Sequence, residues 1–301
     1  MPRSLPAAVL ALFCLLGGAC AAPAEIVICS YNLANYTGKI PASTPGARST
    51  SAKPEKEIAA LIAIIKEVNP DILGVCEMGS PERFADFQQR LAAAGLGYVD
   101  AEYLQAADPD RHLALLSRFP IVARQSQGDI PFELNGSVEK VRRGILDVTI
   151  QVTPGYRLRM VGVHLKSKLP VPAGEALIRR LEAQALRRHL DRILAEAPQT
   201  NLVAYGDFND TKNQPMFTTV TGPKDSPGFM TDLWARDPLG DRWTHYWRTA
   251  DEYSRIDYIF VSRALFPEVV KTKSRVHRGD DWLTASDHRA VSATIIPEDR
   301  K

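Results

Sequence analysis

Short apolar runs alternate along this chain with longer segments whose apolar residues show helical spacing. In the segment from Pro54 to Val68, apolar residues recur every three or four positions, which places them on one face of a helix. A second helix is predicted from Ser80 to Ala94, because a serine at the N-cap is followed by proline at the first helical position. The longest helix is predicted from Glu175 to Glu196, where leucines form an apolar face and Pro198 ends the segment.

The apolar runs between the helices predict strands. In chain order they are Ile26 to Ala34, Ile72 to Cys76, a short strand around Tyr98, His112 to Leu116, Ile121 to Arg124, Gly144 to Val152, Arg157 to His164, Leu202 to Tyr205, Arg255 to Val261 and Ala290 to Ile296. This mixture predicts an α/β protein. The chain has 301 residues and no low-complexity linker, which favours a single domain although the length would permit two.

The balance of charge limits the partners that the protein can attract over a distance. Lysine and arginine number 37, and aspartate and glutamate 35, so the formal net charge is only +2. A protein that binds nucleic acid tightly usually has a strong basic excess or a basic run. Neither is present, and attraction to phosphate therefore depends on local clusters. We predict no protein partner.

The first 21 residues are typical of a targeting segment rather than of a folded domain. Ala7 to Leu16 is apolar but too short to span a bilayer, and Ala19-Cys20-Ala21 offers a small-residue cleavage site. We therefore predict a signal peptide over residues 1–21, a mature domain over residues 22–301 without a transmembrane segment, and export to the periplasm or the medium. The alternative is a lipoprotein signal in which Cys20 is lipidated and anchors the protein to a membrane.

Two cysteines, Cys29 and Cys76, remain in the body of the predicted mature domain. Both lie inside predicted strands, so they are interpreted as buried, small apolar side chains. A disulfide between them requires that the two strands be neighbours, and the oxidising destination of an exported protein would permit the bond.

Six apolar strands lead into polar residues that are costly to hold at the end of a hydrophobic strand unless they have a function. The three upstream strands lead into Asn32, Glu77 and His164. The three downstream segments are Gly206-Asp207-Phe208-Asn209, Arg255-Ile256-Asp257-Tyr258 and Ser286-Asp287-His288. Hard oxygen ligands combined with imidazole groups are the composition of a site for a divalent cation and phosphate chemistry.

In this order, the six segments resemble those of the endonuclease/exonuclease/phosphatase superfamily. That superfamily includes pancreatic-type deoxyribonucleases, apurinic endonucleases, neutral sphingomyelinases and inositol polyphosphate phosphatases. The resemblance extends from Glu25 to Ile296, and six ordered matches at strand ends are far more specific than any one tetrapeptide. It implies a four-layer sandwich of two packed mixed β-sheets flanked by helices, with the site at one edge.

Glu77 is the best candidate for the central metal ligand, and Asn32 and Asp287 can extend its oxygen set directly or through water. These ligands suit Mg²⁺ or Mn²⁺, with Ca²⁺ as a further candidate. They suit zinc less well, since the sequence shows no Cys/His cluster.

The candidate catalytic residues follow from the chemistry and from the resemblance. The resemblance assigns Asp207 to the orientation or deprotonation of the attacking water, and the Asn209 amide can donate to that water or to phosphate. His288 and Asp257 are interpreted as a coupled pair, in which the carboxylate fixes the tautomer of the ring and stabilises its charged form. The resemblance also implies that His164 lies across the scissile phosphate.

Basic residues near these positions are candidates for binding the substrate. Lys166 and Lys168 follow His164 closely and can contact phosphate oxygens, although only one of them faces the site if the strand continues. The doublet Arg142-Arg143 is either a further phosphate-facing pair or a solvated face, and the solvated face is the ordinary interpretation of a basic doublet in an exposed loop. The segment from Asn35 to Lys53 is too long for a simple connection and is either a loop over the site or a mobile surface loop.

His245 lies between Trp243 and Tyr246, shortly before the Asp257 strand. Aromatic side chains in this position can stack on a base or line a pocket, but core packing is the ordinary interpretation.

The leading functional hypothesis is an exported, metal-dependent nuclease or phosphodiesterase that promotes in-line attack of water on a phosphoester, with nucleic acid as the substrate. The alternative is a phosphatase or a sphingomyelinase-like lipid phosphodiesterase, which would use the same central residues. A lipid enzyme should expose an apolar hairpin near the site, and Phe132 and Leu134 are too few for such an insertion. A non-catalytic binding module is the remote alternative, since no position of the pattern is missing.

Overall fold

The computed structural model describes residues 24–38 and 52–300. Its strands are β1 (Ile26–Tyr36), β2 (Ile72–Met78), β3 (Asp100–Leu104), β4 (His112–Ser117), β5 (Ile121–Arg124), β6 (Pro131–Leu134), β7 (Ser137–Lys140), β8 (Leu146–Thr153), β9 (Tyr156–His164), β10 (Leu202–Asp207), β11 (Thr231–Asp232), β12 (His245–Trp247), β13 (Glu252–Ser254), β14 (Asp257–Val261), β15 (Arg275–Val276) and β16 (Val291–Ile295). Its α-helices are α1 (Glu55–Val68), α2 (Pro81–Ala93), α3 (Glu175–Glu196), α4 (Pro215–Thr221) and α5 (Trp282–Ala285). The predicted signal peptide, Cys20 and most of the segment from Asn35 to Lys53 lie outside the described residues.

Two six-stranded mixed sheets form the centre of the fold. The first has the order β15-β16-β1-β2-β4-β3 and the second the order β11-β14-β10-β9-β8-β5. Apolar residues from both sheets fill the space between them, among them Ile28, Leu115, Met160 and Ile259. Helices α1 and α2 pack on the outer face of the first sheet, and α3 and α4 on the outer face of the second. The predicted four-layer sandwich is confirmed.

The two-residue alternation of β1 decides which of its side chains can reach the site. Ile26 and Ile28 enter the core between the sheets, whereas Cys29 and Tyr31 belong to the cluster that packs against α1 and α2. Asn32 has the same parity as Ile28, so its amide faces the second sheet.

Tyr205 of β10 crosses the interface between the two sheets, two residues before Asp207. A Cβ atom at Gly74 would lie 2.0 Å from the Tyr205 ring, and one at Gly162 would lie 2.6 Å from its hydroxyl oxygen. The absence of side chains at these two glycines therefore provides the space that the ring occupies.

The predicted elements agree well with the structure, and α3 and β5 have the predicted bounds. The strand expected around Tyr98 begins later, at Asp100. The segment between β5 and β8 contains the hairpin β6–β7, in which Phe132 and Leu134 are buried in a cluster with residues of α3. These two side chains are therefore not a membrane insert.

The two cysteines of the body lie on neighbouring strands, yet they are free thiols. The register of β1 and β2 places Cys29 opposite Leu73 and Cys76 opposite Asn32, so the two sulfur atoms are not paired across the ladder. Burial raises the pKa of the Cys29 thiol to about 12, in keeping with the interpretation of a small core side chain.

Within residues 24–38 and 52–300, no helix combines the length and the apolar character needed to cross a bilayer.

Candidate active site

Three adjacent strands of the second sheet place three candidate residues side by side. In the ladder between β9 and β10, His164 is opposite Asp207, and in the ladder between β10 and β14, Asp207 is opposite Asp257. The first sheet contributes Asn32 at the facing edge, and the loop before β16 contributes His288. The strand-end pattern of the sequence therefore converges on one edge of the sandwich, as predicted.

His288 and Asp257 form the predicted pair. Nδ1 of His288 lies 2.8 Å from Oδ2 of Asp257, and both side chains are buried. Burial alone would lower the pKa of His288, but the carboxylates of Asp257 and Asp207 raise it well above its ordinary value. The Thr244 hydroxyl accepts the backbone N–H of Asp257 at 3.0 Å and so fixes the backbone at this residue. Nothing in the sequence pattern pointed to Thr244.

Asp207 lies at the centre of the site and is close to three of the other candidate residues. Its Oδ2 accepts a hydrogen bond from Nδ2 of Asn32 at 3.1 Å and lies 3.5 Å from Nε2 of His164 and 3.7 Å from Nε2 of His288. Burial and the nearby Asp257 carboxylate raise the pKa of Asp207 to about 7, although the His288 ring opposes that rise. A carboxyl group of this kind can exchange a proton near neutral pH.

Asn209 helps to hold Asp207 in place. Its backbone N–H donates to Oδ1 of Asp207 at 2.8 Å, and its side-chain Nδ2 donates to the Leu165 carbonyl oxygen at 2.9 Å. The turn needs a left-handed residue at Asn209, with φ of 52°, and a close approach at Gly206, where a Cβ atom would lie 1.9 Å from the Val163 carbonyl oxygen. In this structure the Asn209 amide braces the turn that presents Asp207.

Glu77 reaches the site because the backbone of β2 departs from regular strand geometry. Strand alternation would turn Glu77 to the side of Val75, against the helices, but Glu77 has φ of 62° and the register shifts between Val75 and Met78. Its Oε2 accepts the N–H of Asn35 at 2.8 Å, and its Oε1 lies 3.9 Å from Nε2 of His164. The carboxylate thus faces the second sheet.

His164 is buried between Glu77 and Asp207. Burial lowers its pKa well below the ordinary value, and the positive charges of Arg143, His288 and Arg111 act in the same direction. The ring is therefore neutral at physiological pH. Among the described residues, its Nδ1 has no hydrogen-bond partner.

Arg143 corrects the interpretation of the Arg142-Arg143 doublet. Arg142 is exposed, but Arg143 is buried, and its Nε lies 3.0 Å from Oδ2 of Asp108. Oδ1 of Asp108 also accepts the N–H of Arg111, whose own Nε lies 3.8 Å from Oε2 of Glu77. The guanidinium groups of Arg143 and Arg111 therefore border the site. Of the doublet, only Arg142 is the solvated side chain that the sequence suggested.

The two candidate lysines are placed differently. Nζ of Lys166 donates to the carbonyl oxygens of Ser167 and Leu169 at 3.0 and 2.9 Å, so this ammonium group is bound to its own loop. Glu182 of α3 fixes the same loop by accepting the Lys166 N–H at 2.6 Å. Lys168 is exposed, and its positive charge contributes to lowering the pKa of His245 after the larger effects of burial and His288. Lys168 is therefore the lysine available to a substrate.

The donor chemistry of Glu77, Asn32 and Asp287 fits a hard divalent cation. Glu77 and Asp287 supply carboxylate oxygens and Asn32 an amide oxygen, and the Asp287 side chain is half exposed. Among the described residues, two compact groups of His and Asp side chains also occur, His245–Asp287–His288 and Asp207–Asp257–His288. Glu77 belongs to neither group, and its Oε1 lies beside His164 instead.

The chain matches the profile of the Endonuclease/Exonuclease/phosphatase family over residues 29–288. Among curated protein sequences, none matches the chain significantly.

Solved structures with the same fold include truncated TDP2 from Caenorhabditis elegans, at 19% identity and a TM-score of 0.61, covering 90% of this chain and 98% of that one. The catalytic domain of human Nocturnin with bound sulfate is 20% identical, with a TM-score of 0.62 and coverage of 90% and 93%. Sphingomyelinase C from Streptomyces griseocarneus is 14% identical, with a TM-score of 0.61 and coverage of 90% and 99%.

Proposed function

The chain belongs to the Endonuclease/Exonuclease/phosphatase family, whose members hydrolyse phosphoesters, and we propose that it is an exported, divalent-metal-dependent phosphodiesterase that acts on nucleic acid. The observation that carries the proposal is the placement of Asp207 between two imidazole rings. Its Oδ2 lies 3.5 Å from Nε2 of His164 and 3.7 Å from Nε2 of His288. This arrangement places a proton acceptor between two imidazole groups, which are the groups needed to activate water and to hold a phosphate.

Hydrolysis requires a water molecule aligned opposite the leaving oxygen and a means of removing its proton. Asp207 is suited to both tasks, because Asn32 and Asn209 fix its two oxygens and its pKa of about 7 lies near neutral pH. In the proposed reaction, Oδ2 of Asp207 takes the proton of the attacking water.

His288 and His164 would hold the phosphate from two sides. Asp257 fixes Nδ1 of His288, which leaves Nε2 to donate a hydrogen bond to a phosphate oxygen. His164 is neutral, so one of its nitrogens can donate without adding a second positive charge.

A divalent cation bound by Glu77, Asn32 and Asp287 would neutralise charge on the phosphate and stabilise the leaving oxygen. Arg111 lies close to Glu77 and adds positive charge to the same border of the site.

Surface features near the site support a nucleic-acid substrate. The hairpin β12–β13 follows Thr244 and exposes Trp247 and Tyr253, and the indole ring of Trp234 is also half exposed. The ammonium group of Lys212 lies 4.1 Å from the centroid of the Trp234 ring. Exposed aromatic rings combined with cations are the means by which proteins bind unpaired bases without strong sequence preference.

The same exposed rings favour one other candidate, a phosphodiesterase that acts on a choline phospholipid at a bilayer surface. Trp247 and Tyr253 extend from a hairpin beside the site, and such aromatic residues settle readily at a membrane interface. Sphingomyelinase C from Streptomyces griseocarneus has the same fold, and this similarity supports the choice of a phospholipid as the second candidate substrate.

A substrate panel tests both candidates. The purified mature domain would be assayed with Mg²⁺, Mn²⁺ or Ca²⁺ against single-stranded and plasmid DNA, RNA, sphingomyelin vesicles, inositol phosphates and a small phosphate diester. Asp207→Asn should abolish turnover, whereas Asp129→Asn, a change at an exposed residue of a surface ion pair with Lys140, should not. Turnover of vesicles with none of the oligonucleotides would replace the nucleic-acid proposal by the lipid one. Absence of metal-dependent turnover on every substrate would reject both.

Export is tested separately by mass spectrometry of protein recovered outside the cytoplasm. A terminus near Ala22 supports soluble export, whereas an acylated Cys20 terminus would mean a lipid-anchored protein.

A further inference from the structure

A group of nitrogen and oxygen ligands lies beside the oxygen set described above. One ligand atom from each of His245, Asp287 and His288 lies within 4.8 Å of the other two, and Nε2 of His245 is 3.9 Å from Oδ2 of Asp287. We propose that these three side chains bind Zn²⁺. The proposal goes beyond the hydrolytic function, because it concerns a different cation, which would share Asp287 with the oxygen set but has different ligand preferences.

The two imidazole rings are oriented as metal ligands usually are. A metal-binding histidine typically engages a carboxylate or another acceptor with its other ring nitrogen, which fixes the ring. Nδ1 of His288 is held by Asp257 at 2.8 Å, and Nδ1 of His245 lies 3.4 Å from Oγ of Ser254. Both rings therefore keep Nε2 for a ligand. The contacts of His288 Nε2 with Asn32 and Asp207 are long, at 3.5 and 3.7 Å.

The backbone holds these ligands near each other before any ion binds. Two extended segments run antiparallel and bring His245 opposite His288. The N–H of Tyr246 donates to the Asp287 carbonyl oxygen at 2.9 Å, and the N–H of Arg289 donates to the Thr244 carbonyl oxygen at 2.7 Å. The ring centroids of the two histidines are 4.6 Å apart.

The ligand atoms, which lie within 4.8 Å of one another, must move closer together to bind the ion. Tetrahedral zinc with bonds of about 2.0 to 2.1 Å places its ligand atoms roughly 3.3 Å apart. The contact of 3.9 Å between His245 and Asp287 must shorten by roughly half an ångström, which the Asp287 side chain, 53% exposed, can provide by rotation. Two histidines and one carboxylate leave the fourth position to water, which is the usual composition of an accessible zinc site.

Binding of Zn²⁺ would displace the proton from Nε2 of His288, the atom assigned to the phosphate in the proposed reaction. Zn²⁺ held by His245 would therefore occupy both Asp287 and His288, and we expect it to inhibit metal-dependent hydrolysis. His245 itself does not belong to the oxygen set of Glu77, Asn32 and Asp287.

The decisive experiment measures binding rather than turnover. Wild-type protein, His245→Phe and Glu77→Gln would be titrated with Zn²⁺ by equilibrium dialysis in excess Mg²⁺, and with Co²⁺ while the visible absorption is recorded. Phenylalanine keeps a ring against His288 but has no ligand atom. We expect one Zn²⁺ per wild-type chain, retention of that ion in Glu77→Gln, and a loss of affinity of at least about tenfold in His245→Phe. His245→Asn, checked by circular dichroism, serves if the phenylalanine variant does not fold.

The proposal is overturned if wild-type protein binds no Zn²⁺ in excess Mg²⁺, or if the folded His245 variants keep the wild-type affinity and Co²⁺ spectrum. Loss of Zn²⁺ in Glu77→Gln alone would place the ion in the oxygen set and would also overturn it. These binding measurements do not depend on hydrolysis. The zinc proposal is therefore tested even if the protein proves not to hydrolyse phosphoesters. Where hydrolysis is found, His245→Phe should need at least about tenfold more Zn²⁺ for half inhibition.

Discussion

Nδ1 of His288 and Oδ2 of Asp257 are joined by a hydrogen bond of 2.8 Å between two buried side chains. The two residues come from different elements, since Asp257 begins β14 and His288 precedes β16. The carboxylate keeps the ring in its charged form and leaves Nε2 directed toward Asp207. The pair therefore determines the protonation state on one side of the proposed phosphate position.

Asp257→Asn should slow hydrolysis by about a hundredfold or more, because the ring loses the group that stabilises its charge and fixes its tautomer. The Asp257 carboxylate raises the pKa of His288, so its removal should lower that pKa. The loss of activity that accompanies deprotonation of His288 should consequently move to lower pH. Rate–pH profiles of the wild type and the variant measure the shift. An unchanged rate and profile would show that the pair has no role in turnover.

Glu77→Gln should reduce kcat/KM by more than about a hundredfold at a fixed Mg²⁺ concentration, since the neutral amide is a poor ligand for a hard cation. Excess chelator should abolish wild-type activity, and Mg²⁺ should restore it. Circular dichroism and thermal unfolding of the variant should resemble those of the wild type, because the Glu77 carboxylate is at the surface of the site rather than in the core. Full wild-type activity in chelator would contradict the metal assignment.

The sequence predicted the part of the site that depends on local pattern. Residues at strand ends meet where neighbouring strands are in register, and His164, Asp207 and Asp257 do so on three adjacent strands. The parity of β1 likewise directs Asn32 to the second sheet. Both results follow from the two-residue period of a strand, which a single sequence displays.

The remaining features depend on contacts between segments that are distant in sequence. The expectation that no Cys/His cluster exists did not anticipate that an isolated bridge would join His245 to His288. Arg143 is buried because it pairs with Asp108. The Lys166 ammonium group is not free to bind a substrate, because it donates hydrogen bonds to carbonyl groups of its own turn. Neither the periodicity nor the composition of a segment records such pairings.

His277 should make the fold sensitive to acid. Burial, together with the charges of Arg275 and Arg289, lowers its pKa to about 4, whereas the unfolded chain has the ordinary value near 6.5. Below pH 6.5 the unfolded state binds this proton more readily than the folded state does, so the free energy of unfolding falls until the pH reaches about 4. The loss from this group is at most about 3 kcal/mol.

Denaturant unfolding at pH 7.5 and at pH 4.5 would measure that loss. In His277→Gln, whose amide can form a hydrogen bond with Ser292 as the imidazole does, the decrease in unfolding free energy between the two pH values should be smaller than in the wild type. Equal decreases in the two proteins would assign the acid sensitivity to other groups.

Lys168 provides a test of the nucleic-acid proposal through the salt dependence of substrate binding. Contacts between a polyanionic backbone and basic side chains release counterions, so the apparent affinity for an oligonucleotide should fall steeply as salt increases. Lys168→Ala should reduce the slope of log affinity against log salt by about one, since one phosphate contact is lost. Lys273→Ala is the matched control, because Lys273 is an exposed lysine paired with Glu25 at the start of β1, away from the strand end that bears Asn32.

The assays would use an oligonucleotide and a small phosphate diester across a salt series, with the metal held saturating. A small diester contacts only the central residues, so its KM should show a weak salt dependence that Lys168→Ala does not change. Equal slopes for wild type, Lys168→Ala and Lys273→Ala on the oligonucleotide would remove Lys168 from the substrate surface. Oligonucleotide turnover at background level in low salt, with the small diester hydrolysed, would reject nucleic acid as the substrate. It would retain the proposed phosphoesterase, because the role proposed for the residues around Asp207 requires only a phosphate.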